Sequence, residues 1–69
     1  MSDMTPQQAV QALVKNGWSE ARIAREIGTS QPTVHRIKRG HDGAAYKTVK
    51  SLLALAAAVG AGEESSHAA

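Results

Sequence analysis

No cysteine occurs among the 69 residues, so disulfides and thiolate metal sites are excluded and a reducing, intracellular setting is the simplest expectation. Phenylalanine is absent too, which leaves Trp18 and Tyr46 as the whole aromatic complement. A core must therefore be assembled from Ala, Val, Leu and Ile, and these suit closely packed helices better than a small barrel. Long apolar runs are also missing. The stretch "SLLALAAAVGAG" is too short to span a bilayer, and "MSDMTPQQ" lacks the basic and apolar regions of a secretory leader. There is no carboxylate pair with a plausible pocket, no Gly-rich phosphate loop and no nucleophile–base arrangement, so an enzyme is not expected. His35, His41 and His67 lack the spacing and partners of a metal site. No metal, cofactor or small-molecule ligand is expected.

What is present is unevenly distributed. The net charge is only +2. Yet Arg22, Arg25, Arg36, Lys38, Arg39, Lys47 and Lys50 stand against Glu26 and Asp42 alone in the central segment, a local charge of +5. The flanking segments are mildly acidic. A basic stripe of this kind fits a polyanion partner, although a solvated face of mixed charge would look similar.

Helix signals punctuate the chain. Thr5 is placed to cap a first helix, with Pro6 at its first position and Gln8 completing a capping box. Ala9, Val10, Leu13 and Val14 make its apolar face, and Gly17 ends it. Ser19 caps a second helix with Ile23, Ala24 and Ile27 inward and Gly28 as its stop, while Trp18 precedes the cap as a hydrophobic staple to Ile23. Ser30 caps a third, with Val34 and Ile37 inward and Gly40 after it. Following the loop "GHDG", a fourth helix is expected from Ala44 or Ala45 to about Val59, with Tyr46, Val49, Leu52 and Leu53 inward. Its second half, "LLALAAAV", is apolar all round. Either its alanines serve helix propensity alone, or a second face packs on another subunit through Leu52, Leu55 and Val59, the reading favoured here. The "GAGEESSHAA" end is Gly-, Ser- and Ala-rich and reads as disordered. The expected organisation is a compact all-α, four-helix domain over residues 1–59 and a flexible tail over 60–69.

The second and third helices are joined by only "GTS". A left-handed Gly28 followed at once by a capping Ser30 forces a steep crossing, packed through Ala24, Ile27, Val34 and Ile37. The segment "IAREIGTSQPTVHRIKRG" resembles the helix-turn-helix of the phage repressor and Cro proteins and their bacterial relatives. Counting from Glu20, Ala24, Gly28, Val34 and Ile37 fall at the positions that family's pattern asks for. The likeness covers Trp18 to Gly40 closely and Asp42 to Val59 loosely. Two departures stand out: Glu20, where many relatives carry glutamine, and Pro32, where relatives often place a polar base reader.

The resemblance implies a lambda-repressor-like fold whose third helix enters the major groove of B-DNA. Its outward residues Gln31, Pro32, Thr33, His35 and Arg36 are then the base readers, Gln31 suited to adenine and Arg36 to guanine. Ser19, Ser30, Lys38, Arg39, His41 and Lys47 are the expected phosphate contacts. The function implied is a Cro-like transcription repressor, binding a palindromic double-stranded operator as a homodimer in the cytoplasm of a bacterium or phage-infected cell. The alternative is a protein-interaction module such as an antitoxin, because the core positions specify only the fold.

Overall fold

The computed structural model describes residues 4–41 and 43–68, with side-chain surroundings through Gly60. Four helices follow one another: α1 (Pro6–Lys15), α2 (Glu20–Ile27), α3 (Gln31–Lys38) and α4 (Tyr46–Ala68). The architecture is a compact all-α bundle of four helices, as the helix signals require. Each of the first three begins on a hydroxyl. Thr5 Oγ1 accepts from the Gln8 N–H at 3.1 Å while Gln8 Oε1 accepts from the Thr5 N–H at 3.0 Å, completing the capping box. Ser19 Oγ accepts from the Arg22 N–H at 3.0 Å, and Ser30 Oγ from that of Thr33 at 3.4 Å. These bonds satisfy donors that have no carbonyl partner in the first turn.

The core is drawn from all four helices: Ala9, Val10 and Leu13 from α1, Ile23 and Ala24 from α2, Val34 and Ile37 from α3, Leu52 and Ala56 from α4. Trp18, Ile27 and Leu53 pack around this centre half-buried. α1 packs on α3 and α4, α2 packs on α3, and α4 also touches α1 and α2. One side of α3 is thus covered by α1 and α2, and its other side is left to solvent.

Two expectations for α4 change. Tyr46 is 79% exposed rather than inward. It is the first residue of the helix, so its side chain leans back past the helix end, where no other helix covers it. The helical backbone also continues beyond Val59 to Ala68. The chain there contains no proline, and its two glycines, Gly60 and Gly62, cost a helix only about 1 kcal/mol each. The flexible tail expected over residues 60–69 falls largely on residues whose side chains lie outside those described.

The apolar second half of α4 resolves simply. Leu52 is fully buried, and Leu53, Leu55 and Val59 are half-buried against the domain's own core. Solvent meets Ala54, Ala57 and Ala58. The bulky side chains and Ala56 are turned home and the other three alanines outward, so the run is accounted for by helix propensity and one packed face. Leu52 has no surface to offer a second subunit. No helix among the described residues is long and apolar enough to cross a membrane.

Candidate nucleic-acid interface

The outer side of α3 is built by subtraction. Val34 and Ile37 point into the core, and helical spacing leaves Gln31, Pro32, His35, Arg36 and Arg39 exposed, with Thr33 and Lys38 half-exposed. The start of the helix is fixed by Ser30. Its far end is fixed from α1, where Gln7 Nε2 donates to the Lys38 carbonyl at 3.1 Å. The turn after it needs Gly40: its φ is +91°, and a Cβ there would sit 3.3 Å from Gln7 Nε2.

Several of the expected contacts are already engaged inside the protein. The Thr33 and Ser30 hydroxyls lie 2.9 Å apart and share a hydrogen bond, so Thr33 belongs to the cap as much as to the outer face. His35 Nδ1 lies 3.2 Å from Glu20 Oε2 on α2, and Lys38 Nζ lies 3.6 Å from the same oxygen. The hydrogen bond from His35, and then the charges of His35 and Lys38, hold the Glu20 carboxyl below the usual carboxylate range against an opposing pull from burial. Glu20 thus takes partners from α3. Gln31, Pro32 and Arg36 are the groove candidates with no polar side-chain partner among the described residues.

The phosphate candidates fall into two groups. Ser19, Ser30 and Lys38 lie along the α2–α3 side, while Arg39, His41 and Lys47 are exposed beyond the end of α3. His41 lines a cleft between α3 and the start of α4 together with Thr29, Thr33, Arg36 and Thr48. Thr29 and Thr48 were not singled out from the sequence, because nothing local marks a threonine as facing a cleft. Arg22, counted from the sequence only as part of the basic stripe, also has a neighbour that was not foreseen. Its guanidinium lies 3.9 Å over the Trp18 ring, beside the capping Ser19. The four-residue spacing of Trp18 and Arg22 on either side of a cap was the available signal. Among the described residues no group of His, Asp or Glu is arranged to hold a metal ion.

Residues 5–51, more than half of the chain, match the family described as "Putative ATPase subunit of terminase (gpP-like)". No curated protein and no solved structure gives a significant match. The family match overturns the Cro-like reading. The expected transcription repressor, with its antitoxin alternative, its palindromic operator and the homodimer set across it, is replaced by a terminase setting. The expectation of a protein apart from enzymes is overturned with it, since the family is named for an ATPase subunit. The reason lies in what the resemblance rested on. Ala24, Gly28, Val34 and Ile37 report how two helices pack and turn, and such a pattern does not report the machine it serves.

Proposed function

This chain belongs to the gpP-like family of terminase ATPase subunits, and we propose that it supplies such a machine's hold on double-stranded viral DNA. In this reading α2 and α3 act as a helix-turn-helix of lambda-repressor-like type, carried by residues 1–59 and followed by 60–69. ATP hydrolysis is the chemistry that the grip serves.

The observation that carries the proposal is the two-sided character of α3. Its inner side is apolar and covered, and its outer side presents Gln31, Arg36 and Arg39 with no element packed over them. Protein-binding surfaces favour an apolar or aromatic anchor, whereas amides and guanidinium groups fit groove edges and phosphate. Gln31, Pro32 and Arg36 lead into the groove, with Thr33 and His35 contributing less because each is engaged internally. Arg39, His41 and Lys47 follow the backbone on one side and Ser19 and Ser30 on the other, where Lys38 is drawn toward Glu20.

The test is fluorescence anisotropy of the 69-residue protein with a duplex from the packaged viral genome, titrated across salt concentrations. Binding should weaken steeply with salt, and Arg36→Ala should cost roughly 1–3 kcal/mol, about 5- to 160-fold in affinity. Wild-type protein that binds no duplex even at low salt would refute the DNA role.

A further inference from the structure

Glu20 opens α2 on the side that faces α3, and only 18% of its side chain is exposed. A single oxygen, Oε2, meets both His35 Nδ1 and Lys38 Nζ. Those two residues are three apart on α3, so they stand one turn from each other on the same side. One carboxylate therefore joins two helices and spans a full turn of the second.

We infer that Glu20 is a positioning residue that clamps α3 to α2 and, by engaging His35 and Lys38, restrains their use on DNA, His35 in the groove and Lys38 on phosphate. The restraint rests on the DNA-binding reading above; the clamp itself does not. A phosphate oxygen seeking Lys38 competes with Glu20 for the same ammonium group, and it must approach a fixed negative charge to do so. Beside the cluster, Gln31 and Pro32 complete a shallow depression with Glu20 and His35, and neither brings a charge that would offset the carboxylate. The module consequently grips duplex less tightly than its count of basic residues would allow.

Glu20→Gln is the informative variant, because the amide keeps an acceptor for His35 and a good helix former while removing the charge. With Lys38 freed, affinity for a duplex at low salt should rise about tenfold and the salt slope should steepen by about one. Lys38→Gln should cost less than about twofold in the wild type but about tenfold in the Glu20→Gln background, since the lysine counts as a phosphate contact only once released. An unchanged slope in Glu20→Gln, with Lys38→Gln costing the same in both backgrounds, would overturn the restraint.

A DNA-free measurement decides the clamp. In a carbon-13 NMR titration the Glu20 carboxyl should titrate below the usual glutamate range in the wild type, and it should move upward in His35→Gln and in Lys38→Gln. A wild-type Glu20 titrating in the ordinary range would overturn the clamp. If the titration stays low but neither wild type nor Glu20→Gln binds duplex, the DNA reading and the restraint fail together, and the clamp stands as a tie between α2 and α3.

Discussion

Gly28 and Gly40 carry the same backbone requirement in different surroundings. Both have positive φ, +76° and +91°. A Cβ on Gly28 would meet open space, whereas one on Gly40 would press on the Gln7 amide that holds the Lys38 carbonyl. Gly28→Ala should therefore cost about 1–2 kcal/mol, the conformational penalty alone. Gly40→Ala should cost more, because Gln7 must also yield. Urea unfolding of the two variants checks this; equal losses would mean that Gln7 gives way freely. The stop at each glycine was legible from its place after an apolar helical pattern. The closeness of Gln7 to Gly40 was not, because 33 positions separate them in the chain and no local rule links them.

The elements themselves are short, and that shapes what holds them. α3 has eight residues, below the length at which a helix persists alone in water. It survives through the Ser30 cap, the burial of Val34 and Ile37, and the tie from Gln7. Ser30→Ala should lower stability by about 1 kcal/mol. It should also release the Thr33 hydroxyl, so amide hydrogen exchange should quicken most in the first turn of α3. Uniform quickening through all four helices would show that the cap acts on the whole domain instead. The caps were legible because capping joins residues three apart, and the capping box of Thr5 and Gln8 formed as its spacing required. Helix α4 was less so. An all-round apolar run has no side to choose, and only packing revealed that Leu55, Ala56 and Val59 also turn to the domain's own core while Ala54, Ala57 and Ala58 face outward.

At the scale of the whole molecule, one core of aliphatic side chains joins all four helices, and no buried polar group interrupts it among the described residues. Leu13 is one of the largest fully buried side chains and lies on α1, which touches each of the other helices. Leu13→Ala should cost about 2–5 kcal/mol. A domain of this size holds only roughly 0.05–0.15 kcal/mol per residue, so circular dichroism should show a protein largely unfolded near 37 °C. A cooperative transition shifted by only a few degrees would mean that the remaining aliphatics close the cavity.

The sequence by itself determined the four helices, the starts and stops of the first three, and most of the aliphatic residues that would meet. Those outcomes depend on neighbours within a turn and on the 3.6-residue period, both of which a linear string displays. Tertiary structure alone decided which side of α4 faces solvent, that Tyr46 faces out, and that Gln7 secures the end of α3. It also decided that Glu20 takes His35 and Lys38 as partners. Each of these turns on distances between side chains far apart in the chain, and a few ångströms there separate an ion pair from a solvated charge.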